Sequence, residues 1–203
     1  LFIRNLRRQR LFSTINLLGL TVSISSALII YLYVRHELSY DRFHPHADRV
    51  YRVNQTFIWG EDEDRQFSST GPGVATALRE ELAEAELITS IHTPGNFLIT
   101  YTKPSGEVIS FIEEKILAVD TNFFRMFHFP LLQGNARSAM KQANTLVMTA
   151  STAKKYFGKE DPIGKMIHMG TAGNQQTYEV TGVSEDTPEN SYIEYNVLLS
   201  MSS

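Results

Sequence analysis

Residues 15–34 read INLLGLTVSISSALIIYLYV and contain no Asp, Glu, Lys or Arg. At ~1.5 Å of rise per residue, about 20 helical residues cover ~30 Å, the thickness of a bilayer's hydrocarbon core. A helix also satisfies its backbone hydrogen bonds within one segment, as lipid demands. The stretch therefore predicts a membrane-spanning helix. A buried core helix and the apolar core of a secretory signal are the alternatives. A signal would be shorter, with small residues at its far end. Here Ser25, Ser26 and Ala27 lie mid-run and are followed by Leu28, Ile29 and Ile30.

The flanks predict an orientation. Arg4, Arg7, Arg8 and Arg10 precede the run, with no acidic residue before it. After it, Arg35 and Arg42 are mixed with Glu37 and Asp41. The positive-inside rule places the N-terminus in the cytoplasm and the rest of the chain outside. Tyr31 and Tyr33 then fall near the outer interface, where amphipathic rings are favoured. The expected organisation is a basic lead over 1–12, a span over 13–38 and an extracytoplasmic domain over 39–203. In the lead, Leu1, Phe2, Ile3, Leu6 and Leu11 are interleaved with the arginines. That pattern suits a helix lying on anionic lipid, and equally a simple stop-transfer flank.

Within the run, Gly19, Ser23 and Ala27 recur every four residues and share one helix face, with Asn16 and Ser26 near the same stripe. Small residues let helices approach closely, and Asn or Ser can hydrogen-bond across the contact. A packing face formed by Asn16, Gly19, Ser23 and Ala27 is expected. No second run in the sequence is long and apolar enough to be its partner.

The chain has 203 residues, a net charge of -3 and no cysteine. Near-neutral charge without a long basic tract argues against nucleic acid as a partner. Absence of cysteine excludes disulfides and a cysteine nucleophile. The opening on Leu1 and the end within apolar Val197-Leu198-Leu199 read as a fragment of a longer protein.

Beyond Pro45, alternation over 49–58 predicts a strand, with Tyr51, Val53, Gln55 and Phe57 on one side. Residues 59–66 read as a charged loop. Ser69 or Thr70 and Pro72 are candidate start signals for a helix whose apolar face is Val74, Leu78 and Leu82. Strand signals follow at 88–92. Segments 97–102 and 108–119 predict a hairpin around Lys103-Pro104-Ser105-Gly106. A short phenylalanine-rich helix is expected over 122–127, and a turn at Gly134-Asn135. A strand over 146–148 precedes a helix ending at Gly158. Strands over 165–169 and 178–183 complete a mixed, mostly antiparallel α+β fold, incomplete at its C-terminus.

No catalytic pattern in the sequence is complete. His36-Glu37 begins an HExxH, but the second ligand position is Tyr40, so the two-histidine helix face is broken. His44 and His46 flank Pro45 near Asp41 and Asp48 and read as an exposed hinge rather than a metal site. His92, His128 and His168 are isolated. There is no phosphate-cradling GxxxxGK[ST] and no G-x-S-x-G elbow. Asn54-Gln55-Thr56 fits a glycosylation triplet but falls in the predicted strand. Glu80-Glu81 and Glu113-Glu114 read as solvated faces. No catalytic, cofactor-binding or metal-binding residue is proposed.

Several stretches together resemble a known family. The arginine-rich lead enters a helix beginning NLLGL and leaves through ELSYDRFHPHADRVYRV. VDTNFFRMFHFPLLQGN, LVMTASTAKKYFGKEDPIGKMI and YEVTGVSEDTPENSYI follow in order. This resembles the N-terminal part of an ABC-transporter permease of the MacB/FtsX type, with its MacB-like periplasmic core domain. The resemblance implies a bacterial inner-membrane protein and a separate ATPase subunit. It also implies a second permease copy or homologue, and an extracytoplasmic protein or peptide as substrate. ATP hydrolysis inside would be transmitted through membrane helices to the outer domain. A membrane-anchored sensor or binding module is the competing reading, and an anchored enzyme a third.

Overall fold

The computed structural model describes residues 10–59, 63–171 and 173–202. The chain divides into two units, Leu1–Arg42 and Phe43–Ser203.

The first unit is dominated by helix α1, Arg10–Glu37. Its window Leu11–Glu37 is long and apolar enough to cross a membrane. At ~1.5 Å per residue this helix is ~42 Å long. It starts inside the expected lead rather than after it. Leu17, Leu20, Ile24, Leu28 and Ile30 are all more than half exposed, so the helix presents apolar surface on every side. A helix that is apolar all round belongs in lipid or among other helices, because exposure to water costs ~25 cal/mol per Å² of that surface. The Ser23 hydroxyl donates to the Gly19 carbonyl (2.8 Å) and Thr21 donates to that of Leu17 (2.7 Å). These bonds remove the cost of bare hydroxyls in an apolar medium.

The second unit is an α+β domain built on a mixed sheet. Its strands are β3 (Ile91–His92), β4 (Phe97–Thr102), β5 (Val108–Glu113) and β6 (Ile116–Val119). They continue with β7 (Leu131–Gly134), β8 (Thr145–Thr149), β9 (Met166–Thr171), β10 (Asn174–Ser184) and β11 (Val197–Ser200). The order is β3-β6-β11-β8-β10-β9-β4-β5, with β7 also paired to β10. Among the described residues only β8–β10 and β6–β11 are parallel. A separate hairpin joins β1 (Gln55–Trp59) to β2 (Glu63–Phe67), where the rings of Phe57 and Phe67 meet edge to face. The helices that accompany the strands are α2 (Val74–Glu81), α3 (Phe123–Met126) and α4 (Ala150–Phe157).

The core has two halves, one on each face of the central strands. Leu146 and Met148 of β8 and Val197 and Leu199 of β11 pack with Ala153, Tyr156 and Phe157 of α4. The intervening Val147 and Leu198 point the other way, into Phe123, Phe127, Phe129, Met140 and Tyr195. A strand covered on both faces must be apolar at successive positions. That is why LVM and VLL read as unbroken apolar runs. The apolar stretch at Val197–Leu199 is thus a central strand.

Several local expectations are corrected. The strand expected over 49–58 forms only from Gln55, where pairing with β2 begins; residues 47–49 make a 3-10 turn and 50–54 have no strand partner among the described residues. Neither Ser69 nor Thr70 caps α2. A Gly71–Val74 turn intervenes and Gly73 is the N-cap, with no side-chain hydrogen bond. Val74 and Leu78 are half-buried, and Leu82 is exposed. The strand signals at 88–92 yield only Ile91–His92. The arm expected over 108–119 breaks after Glu113, and 116–119 pairs with β11 instead of β4. Lys115 holds that break: its carbonyl accepts from the Asn196 N–H (2.7 Å) and its ammonium pairs with Glu194. Part of the charged loop forms β2, while 60–62 lie outside the described residues. The helix ending at Gly158 (φ +64°) forms as expected, its last turn closed by the Gly158 N–H on the Lys154 carbonyl.

Candidate functional site

Asn16, Gly19, Ser23 and Ala27 all lie on α1 at helical spacing and are exposed. A Cβ added at Gly19 would meet no atom within 4 Å. The face is therefore open among the described residues. Arg4, Arg7 and Arg8 lie outside the described residues, and Arg10 is the first residue of α1.

Where the second unit begins, two side chains anchor the chain. His44, expected in an exposed hinge, is 4% exposed. Its Nδ1 accepts the His128 backbone N–H at 3.0 Å. Its ring centroid lies 4.0, 5.2 and 5.3 Å from those of Phe43, Phe127 and Phe129. The FHPH signature looks polar locally. The phenylalanines that bury it come from a segment about 80 residues later, so only the fold brings them together.

On the opposite face of the sheet a buried carboxylate ties β5 to α4 and to the start of β11. Glu113, expected on a solvated face, ends β5 and is 2% exposed. Its Oε1 accepts from Lys155 Nζ (2.7 Å) and from the Tyr156 hydroxyl (3.0 Å), and its Oε2 from Asn196 Nδ2 (3.0 Å). Lys155 Nζ also stands 4.2 Å from the Phe111 ring centroid, a cation–π distance. Burial, and then the neighbouring Glu113 charge, push the Tyr156 hydroxyl far above its ordinary range. Tyr156 is thus a fixed donor, not a proton carrier.

Beside this cluster runs an open groove of about 440 Å³. Ile109, Tyr156 and Phe157 supply apolar wall, and Lys103, Lys154, Lys155 and Lys159 supply charge. Glu160 bonds Lys165 (3.0 Å) and receives the Tyr101 hydroxyl (3.1 Å), which holds its carboxyl below the usual range. Lys103 bonds Glu107 (2.8 Å), and its ammonium is held above its ordinary value. Lys154 and Lys159, without a carboxylate partner among the described residues, are the ammonium groups there that can meet an anion. Sequence does not join Lys103 to the other three: Lys154 and Lys155 of α4 and Lys159 just beyond it come beside the β4–β5 turn only in the fold.

A family model described as the MacB-like periplasmic core domain matches residues 13–203. The chain belongs to that family. A crystallised domain of a protein described as a permease from Porphyromonas gingivalis is 27% identical to this MacB-like domain, with a TM-score of 0.58. The alignment covers 68% of this chain and 60% of that one, so the chain spans less than two thirds of that relative. The periplasmic region of MacB from Actinobacillus actinomycetemcomitans is 19% identical over 63% of this chain and 55% of its own, with a TM-score of 0.42. The extracellular domain of the noncanonic ABC-type transporter YknZ from Gram-positive bacteria is 15% identical over 55% of this chain and 51% of its own, with a TM-score of 0.37. No curated protein matches the chain.

Proposed function

We propose that this chain is the first membrane span and extracytoplasmic core domain of an ABC-transporter permease of the MacB/FtsX type. The observation that carries the proposal is the family match over 13–203, which takes in the apolar α1 as well as the domain. In this reading the N-terminus is cytoplasmic and the domain lies outside a bacterial inner membrane. A separate ATPase subunit hydrolyses ATP, and a second permease copy or homologue completes the membrane part. The arginines of the lead meet anionic lipid.

Helix α1 then acts as a transmission element. A plain anchor needs only hydrophobicity. A helix packed against moving neighbours needs Gly19, Ser23 and Ala27 to stay small, because each added side chain pushes the backbones apart. At the outer side, a pull on the chain at Arg42 reaches Phe43 and His44 through covalent bonds, and the contacts of Phe43 with Phe129 and of His44 with Phe127 and Phe129 support force transfer into the domain. The output is movement of an extracytoplasmic protein or peptide, or activation of a partner there.

The test uses Gly19→Leu and Ser23→Leu in the full-length permease reconstituted with its ATPase, beside Leu28→Ile. Overpacking a close contact costs ~1–3 kcal/mol, enough to shift a two-state equilibrium by about fivefold or more. Insertion should survive, while ATPase rate or recovery of the complex falls in the first two variants only. Wild-type coupling and assembly in both would return α1 to an anchor and favour a tethered sensor.

A further inference from the structure

We propose that the lysine groove and the free edge of β5 together form a docking site for an extended, acidic segment of a partner protein, received as an added strand.

β5 ends the sheet path, and among the described residues it pairs only with β4. The Lys103 N–H donates to the Glu107 carbonyl at 2.8 Å, closing the turn between them. Bonded and non-bonded pairs alternate along an antiparallel ladder. Tyr101–Ile109 and Ile99–Phe111 are therefore the bonded pairs, and Val108, Ser110 and Ile112 aim their N–H and C=O groups away from β4. Such an edge is a template for another strand. Natural edges are blunted by Pro or by charge, yet 108–112 reads VISFI.

The two faces of that edge differ. Ile109 lies on the groove side, as do Phe111, whose ring Lys155 covers, and Glu113, which Lys155 bonds. Val108 and Ile112, on the other side, are 60% and 67% exposed. An added strand turns alternate side chains to opposite faces. Acidic residues on one face would meet the lysines, and apolar residues on the other would cover Val108 and Ile112. Lys155 and Lys103 already have carboxylate partners, whereas Lys154 and Lys159 have none among the described residues. Lys154 near the end of α4 is favoured by the helix dipole alone. Lys103 comes from the β4–β5 turn and Lys159 lies beyond the helix, so the dipole does not account for their convergence. An anionic lipid would use the lysines but could not use the backbone groups of the edge, so a peptide fits the whole surface and a lipid only half of it.

The experiment measures binding of a short fluorescent peptide alternating valine and glutamate to the full chain in neutral detergent, with a valine–lysine peptide as control. Saturable binding of the acidic peptide alone is expected. Lys154→Glu with Lys159→Glu should weaken it by about tenfold or more, since like charges would then face each other. Ser110→Pro should abolish it, because the proline removes an outward N–H that the β4 ladder does not use. Ser110→Ala, which loses only the hydroxyl contact with Thr100 (2.9 Å), should bind as wild type. Thermal melts confirm that the variants fold. The proposal is overturned if no acidic peptide binds saturably, or if the lysine pair proves irrelevant. Retention of binding by Ser110→Pro also overturns it. Anionic vesicles that compete equally would show a charge-only surface and overturn it as well.

Discussion

Lys155 Nζ stands 2.7 Å from Oε1 of Glu113, a lysine 38% exposed bonded to a carboxylate only 3% exposed at its side chain. The ion pair ties the end of an edge strand to α4. Glu113 also accepts from Asn196, the residue that precedes β11. The carboxylate is dry and the ammonium wet, so the two partners are not equivalent. Removing Lys155 leaves a buried charge with only two neutral donors. Removing Glu113 leaves an ammonium that water can reach. Lys155→Met should destabilise the domain by about 1–3 kcal/mol, below the range of fully buried pairs because Nζ keeps part of its hydration. Glu113→Gln, which keeps an acceptor for Tyr156, should cost less. Urea melts of both variants check the order, and a reversed order would show that the carboxylate is solvated after all.

A backbone contact predicts a second effect. Gly134 ends β7 opposite Gly182, with φ +90°, and a Cβ there would collide with the Thr181 carbonyl oxygen. Both the left-handed backbone and the close approach exclude a side chain. Gly134→Ala should cost about 1–3 kcal/mol, read as a lowered melting temperature. Gly158→Ala, also at positive φ but with open space around it, should cost less.

Alkaline stability tests the aromatic layer. Tyr195 is 1% exposed and donates to the Ser184 hydroxyl at 3.1 Å. Burial pushes its pKa from 10.0 up to about 12, against the Ser184 bond, which lowers it. Between those two values the unfolded chain has released the proton and the folded chain has not, so stability falls as pH rises. Full passage through the window removes ~2–3 kcal/mol. Tyr195→Phe should lose about 1 kcal/mol at neutral pH from the missing hydrogen bond. It should also melt with a shallower dependence on pH above about 10. An unchanged slope would place the alkaline loss elsewhere, with Tyr156 the next group to test.

The orientation of α1 is testable because the chain has no cysteine of its own. Cysteines at Ser13 and at Ser105, in the exposed β4–β5 turn, report the two sides. An impermeant thiol reagent on intact cells should label position 105 and spare position 13. The opposite pattern would invert the proposed topology.

Sequence determines this protein where the chemistry is local. The candidate span rests on an uninterrupted apolar run, α4 on a helix stop at Gly158, and the β4–β5 hairpin on a turn sequence. Each of these signals is confined to neighbours along the chain, and the same holds for the mostly antiparallel α+β class. Family resemblance likewise lies in the order of short stretches. The features that sequence leaves hidden depend on partners brought from far away. Glu113 looks like half of a solvated acidic pair until Tyr156 and Asn196 enclose it. His44 looks like a hinge until Phe127 and Phe129 close over it. Val197–Leu199 shows no alternation along the chain and is a strand between β6 and β8. Burial is set by which strands pair and which faces they cover, and those contacts join residues tens of positions apart. Only tertiary structure decides them, because no periodicity in the chain encodes a neighbour that far away.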